Sequence, residues 1–234
     1  MNAPNLGGAH IVSAFDADIS HLYASFETMR SLAMDMLGRS VVAFIDGDTE
    51  TAARVVAEDK DLDAMQLALE ADVISTLARR SPVADDLRMV VALIKMASII
   101  ERVGDHAKNI ARRTQDFDAR DLGGEIDLLR DMTDIAVKQI LVGGEAFLQR
   151  DPDGAARVEE LDEELDQLFD VLVTSLTRRV EDSEADLPSA LHLMFAGKQV
   201  ERAGDHGVNV ARAARYIATG EHPRTQVQRE TAAA

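Results

Sequence analysis

The dodecapeptide ERVGDHAKNIAR at 101–112 returns, little changed, as ERAGDHGVNVAR at 201–212. Both copies read as helix, and both carry a glycine and an acid in mid-helix. Glycine in a helix interior costs roughly 0.5–1 kcal/mol against alanine, and a carboxylate facing apolar surroundings costs more unless something satisfies it. A chain that meets both costs twice, in one register, is built on an internal repeat in which each residue has a packing or chemical reason. At about 100° per residue, Glu101 and Asp105 lie about 40° apart, Asn109 lies one step further round, and Arg112 returns beside Glu101. Ile94 and Ala97 continue the line towards the N-terminus, so the face reads as inward, with His106 on its flank.

A matching pattern stands one helix earlier in each half. DKDLD at 59–63 and DEELD at 162–166 share the form D-x-x-L-D, two acids at i and i+4 beside a leucine. Val55, Val56, Leu62 and Leu67 set the first pair in an apolar stripe; Val158, Leu161, Leu165 and Leu168 do the same for the second. An antiparallel hairpin brings each pair to face the acids of the repeated dodecapeptide. Four clustered carboxylates without a counter-charge raise one another's pKa, and a cation relieves that repulsion. Arg102, Lys108 and Arg112 are available to do so in the first half, Arg202 and Arg212 in the second, so salt bridging and metal binding are both open on spacing alone. Gly104 and Gly204 read as points of close helix packing. His106 and His206 read as flank residues bonded to backbone, with metal ligation the alternative; His10, His21, His192 and His222 carry no informative spacing.

Outward from these motifs, apolar residues recur at helical spacing along almost the whole chain, and no sustained alternation suggests a strand. Breakers divide it. DGD at 46–48 ends a first helix running from about His10, and RSPVADD at 80–86 ends a second, with Pro82 suited to open the third. DFDARDLGG at 116–124 lacks periodicity and marks the midpoint. Three more helices follow at about 125–150, 155–181 and 186–218, stopped by DPDG at 151–154 and TGEHP at 219–223, before a frayed tail at 224–234. Helices of about 30 residues are rods of roughly 45 Å, and short connections make neighbours antiparallel. The expected fold is all-α: two tandem three-helix bundles, residues 1–118 and 119–234.

Composition narrows the chemistry. With 46% hydrophobic but only 4% aromatic residues and no Trp, the core is aliphatic. No Cys is present, so disulfides, thiolate zinc sites and a cysteine nucleophile are excluded. A formal charge of −17 opposes direct contact with nucleic acid or an anionic membrane. The most apolar run, MVVALIKMASII at 89–100, holds Lys95 and falls short of the roughly 18 residues that span a bilayer. The opening MNAPNLGGAH carries no export signal, so a cytoplasmic location without membrane insertion is expected. The GG pairs at 7–8, 123–124 and 143–144 are not followed by the remainder of a phosphate loop. No catalytic triad can be assembled, and nothing requires an enzyme.

The doubled E-R-x-G-D-H-x-x-N signature, the D-x-x-L-D pairs, HIVSAFDADISHL at 10–22, SPVADDLR opening the third helix and ERAGDHGVNVARAARYIATGEH at 201–222 together resemble the PhoU family over about residues 10–219. That resemblance implies a PhoU-like pair of bundles whose E(D)xxxD motifs hold iron or zinc clusters near the bundle surface. Its implied ligands are Asp59, Asp63, Glu101 and Asp105, with Asp162, Asp166, Glu201 and Asp205; other divalent cations suit the same oxygens. It also implies a homodimeric adaptor that negatively regulates phosphate-starvation genes by linking a phosphate ABC importer ATPase to a phosphate-sensing histidine kinase. One departure is visible: SPVADDLR has only a weak counterpart in SEADLPSALHL, where Pro188 falls just inside the helix start. The rival readings are a non-haem metalloenzyme, with the carboxylates holding a redox di-metal centre, and a metal-free helical scaffold.

Overall fold

The computed structural model describes residues 6–118, 122–183 and 185–219. Six long helices account for nearly all of them: α1 (Leu6–Asp46), α2 (Thr49–Arg80), α3 (Ala84–Ala111), α4 (Gly123–Gln149), α5 (Gly154–Glu181) and α6 (Leu187–Thr219), with one short 3-10 turn at Thr114–Asp116. No strand occurs among the described residues. The expected tail at 224–234 and the boundary residues 119–121 fall outside them.

The breakers act through identifiable chemistry. Gly47, at a φ of +67° that favours glycine, turns the chain between α1 and α2. Asp48 then caps α2, accepting from the backbone N–H of Glu50 at 3.1 Å and of Thr51 at 3.0 Å. Ser81 ends α2 in the left-handed conformation, its N–H donating to the Leu77 carbonyl at 3.1 Å. Pro82 lies outside the third helix, which opens at Ala84 behind an extended Val83. A proline biases the residue before it away from helix, so it closes the turn here instead of starting the next rod.

Each half packs as a three-helix bundle: α1, α2 and α3 touch pairwise, as do α4, α5 and α6. The halves join through α3 against α6 and α1 against α4, and one core, aliphatic apart from Phe26, Phe44 and Phe147, runs from Leu22 to Ile217 across that join. Val55, Leu62, Val158 and Leu165 are buried as the stripe requires, but Leu67 is 66% exposed. Five residues on at about 100° each, it stands about 140° round the helix from the buried Leu62, which places it on the outer side of α2.

The glycines of the repeat have a packing cause. A β-carbon on Gly104 would collide with the Leu62 side chain, and one on Gly204 with Leu165 and Gln139. The leucine of each D-x-x-L-D motif therefore fills the notch left by the glycine of the facing dodecapeptide. This fixes α2 on α3, and α5 on α6, at the height where their acids meet.

Candidate functional site

In the first half the glycine notch sets Asp59 and Asp63 on α2 opposite Glu101 and Asp105 on α3. Asp59 is 8% exposed, Glu101 and Asp105 are half-buried, and Asp63 lies at the open edge. The counter-charge is Lys108, one turn beyond Asp105, whose ammonium donates to Asp59 at 2.7 Å and to Asp105 at 2.5 Å. Burial, then the neighbouring Asp105, Asp63 and Asp59 charges, push the Glu101 carboxyl up to about 7. Asp105, against the effect of its own burial, is held below the usual carboxylate range by the hydrogen bond and charge of Lys108. The two carboxyls are thus pushed in opposite directions, Glu101 up and Asp105 down.

The second half repeats the acids in different company. Asp162 and Asp166 on α5 face Glu201 and Asp205 on α6. Burial, followed by Glu201, Asp162 and Asp166, lifts Asp205 to about 6; burial also raises Asp162 and Asp166. Val208 stands where the first half has Lys108. Lys198 reaches only Glu201 Oε1, at 2.7 Å, and Glu201 Oε2 is buried without a partner. Gln139, from α4, donates its amide N–H to Asp162 at 3.0 Å.

The sequence-derived sets are thus brought together within each half, and the two sets stay apart. Among the described residues, no three His, Asp or Glu side chains stand ready to hold a metal ion, so closing either set on one takes side-chain rotation. Of the expected counter-charges, Lys108 serves; Arg212 instead approaches Glu159 at 3.7 Å, and Arg102, Arg112 and Arg202 are exposed. The fit to a hard cation differs between the halves. The orphaned buried oxygens of the second accept one, whereas the ammonium in the first already occupies the position between Asp59 and Asp105.

His106 and His206 meet each other, and not backbone, where α3 crosses α6: Nε2 to Nε2 is 3.3 Å, the rings stack at 5.3 Å, and His106 Nδ1 bonds the Gln199 side-chain oxygen at 2.8 Å. Burial lowers the pKa of both, His206 to about 4. The sequence reading missed Gln139, whose signal was a lone amide in the aliphatic stripe of α4, and Arg30. Arg30 is 4% exposed on α1 and donates to the Leu141 carbonyl of α4 at 2.6 Å.

Tandem helical bundles, each carrying one facing carboxylate cluster, with no helix among the described residues long and apolar enough to cross a membrane, define the class to which this molecule belongs: an internally repeated, acid-bearing all-α protein. The PhoU domain model matches it twice, at residues 26–114 and 129–214. A phosphate-specific transport system accessory protein PhoU homolog from Rhizobium meliloti (strain 1021) is 33% identical over 219 residues, spanning 92% of this chain and 91% of that relative. The Escherichia coli (strain K12) phosphate-specific transport system accessory protein PhoU is 26% identical over 221 residues, 94% of this chain and 91% of its own. The crystal structure of PhoU from Pseudomonas aeruginosa superposes with a TM-score of 0.78 at 28% identity, over 88% of this chain and 100% of that one. The chain belongs to the PhoU family.

Proposed function

We propose that this protein is a regulatory accessory subunit of phosphate uptake that works by contact, not by catalysis. It joins the ATPase of a phosphate ABC importer to a phosphate-sensing histidine kinase, as a homodimer in the cytoplasm, and phosphate sufficiency passing through it keeps phosphate-starvation genes off. The observation that carries the reading is the doubled, nearly full-length relationship to proteins named for phosphate-specific transport. The chemistry supports it: a formal charge of −17 suits basic protein partners over nucleic acid. Of the two carboxylate clusters, the second, without a bridging lysine, is the better seat for iron or zinc, which would neutralise its acids and stiffen that hairpin.

Deleting the gene derepresses alkaline phosphatase in phosphate-rich medium, and a low-salt pull-down from the host recovers the importer ATPase or the kinase. Phosphatase that stays repressed, together with recovery of neither partner, would overturn the reading. One observation favours a metal-free scaffold for part of the molecule, the Lys108 bridge of Asp59 to Asp105. Elemental analysis after native purification decides: no bound metal in either half removes the metal from the function and leaves the contact role standing.

A further inference from the structure

The repeat keeps its carboxylates and changes what stands among them. In a register of 100 residues, Lys108 corresponds to Val208. Lys108, 17% exposed in its side chain, closes the first cluster by spanning the two helices from Asp105 to Asp59. Val208 is 2% exposed and belongs to a separate apolar knot with Ala155, Val158 and Ala211, so it offers the second cluster neither charge nor donor. A second exchange accompanies the first. The helix packed behind Gly104 presents Met36, whose terminal methyl would lie 3.7 Å from a β-carbon there; the helix behind Gly204 presents Gln139. Gln139 is 0% exposed. Its nitrogen is committed to Asp162, and its oxygen is buried with no partner.

We infer that the two clusters are not equivalent: the first is an ionic lock closed by Lys108, and the second is the cation seat, with the Gln139 side-chain oxygen as a neutral donor beside Asp162, Asp166, Glu201 and Asp205. The inference rests on the metal reading proposed above and assigns it to one half. A cation entering the first cluster must expel an ammonium from two charge-assisted hydrogen bonds and leave it partly buried without a partner, which opposes loading. A cation entering the second displaces no bridge between the helices: Lys198 holds a single oxygen of Glu201 from the same helix and, 42% exposed in its side chain, can return to water. The cation satisfies the orphaned Glu201 oxygen and, once the Gln139 amide turns its oxygen from Gly204 towards Asp162, that oxygen as well. Donors that are all carboxylate and amide oxygen suit hard cations.

The test is iron per chain on full-length protein stripped with chelator and reloaded anaerobically with iron(II), with zinc(II) in a parallel series. The pair Asp59→Asn with Glu101→Gln keeps wild-type uptake, and the pair Asp162→Asn with Glu201→Gln abolishes it. Gln139→Leu weakens affinity by about tenfold or more, while far-UV circular dichroism shows the helices retained. Lys108→Met raises uptake per chain, a gain that misfolding cannot mimic. Metal lost with the first-half pair, or uptake unchanged in Lys108→Met, overturns the assignment and leaves metal binding standing. No metal in any variant, Lys108→Met included, overturns the metal reading and this inference with it.

Discussion

A mid-helix glycine gains helix propensity when replaced by alanine, roughly 0.5–1 kcal/mol, so each glycine of the repeat tests whether packing outweighs propensity. At Gly104 the new methyl meets a leucine side chain, which can turn. At Gly207 it meets the α4 backbone itself, 2.7 Å from the Gln139 carbonyl carbon and 2.8 Å from the Ile140 nitrogen, and backbone in mid-helix does not yield. Overpacking of a tight core costs about 1–3 kcal/mol. Gly207→Ala is therefore expected to destabilise by about 2 kcal/mol or more and Gly104→Ala by clearly less, read from urea unfolding midpoints; a Gly207→Ala protein as stable as wild type would refute the close-approach account. Gly104 and Gly204 were legible in the sequence because they repeat. Gly207 was not, because its counterpart is Ala107 and the pattern recorded only a tolerated difference. Gly143, whose β-carbon would lie 2.6 Å from the Gly207 carbonyl oxygen, was legible only as the failure of a phosphate loop. Backbone approach leaves no mark in sequence beyond a small residue, and small residues have many other causes.

Between elements, the α5 and α6 pair sets carboxylates against one another with no bridging lysine, and this gives the metal-free protein a pH dependence of defined sign. Asp205 titrates near 6 in the fold, above its ordinary 3.8. Between those values the folded chain holds a proton that the unfolded chain has released, so stability falls as pH rises through the interval and the loss is complete above about 6. His206 works the other way: its pKa is lowered from 6.5 to about 4, so its contribution is lost as pH falls from 6.5 towards 4. Asp205→Asn removes only the first of these. In chelator-treated protein it is expected to raise the thermal midpoint at pH 8 and to lose that advantage progressively between pH 6 and 4. An advantage that grows on acidification would show that the acid is not repelled there. Helix ends and acid pairing were readable from breakers and i, i+4 spacing. The counter-charges were only half readable, since Lys108, Arg102 and Arg112 looked alike until the rotation of α3 was known, and Leu67 entered the stripe through proximity in sequence alone.

For the whole molecule, the tandem repeat was plain in the sequence, but the repeat did not show whether its copies fold as two units or one. Broad apolar arcs on every helix do not name their partners. The core is continuous across both halves, and Arg30 ties α1 to α4. Its guanidinium is anchored to Glu27 at 2.6 Å and to the Leu141 carbonyl, and it lies against Gly144, where a β-carbon would come within 2.5 Å of Arg30 Cδ. An interface made of core residues and a buried cation paired with Glu27 and the Leu141 carbonyl couples the stabilities of the two sides, unlike the more polar and mobile contacts between separate domains. The chain supplies its own reporters, with no Trp and two Tyr in all, Tyr23 on α1 and Tyr216 on α6. In Tyr216→Phe the remaining tyrosine fluorescence follows the first half, and in Tyr23→Phe it follows the second. Each is expected to change at the same urea midpoint as the far-UV circular dichroism of its own variant, as one cooperative unit requires. Adding Arg30→Ala leaves Glu27 without its partner and opens a cavity beside Gly144, so it should lower both tyrosine midpoints together. A second-half midpoint that stays in place while the first moves would mean that the bundles unfold independently and that the shared core does not couple them.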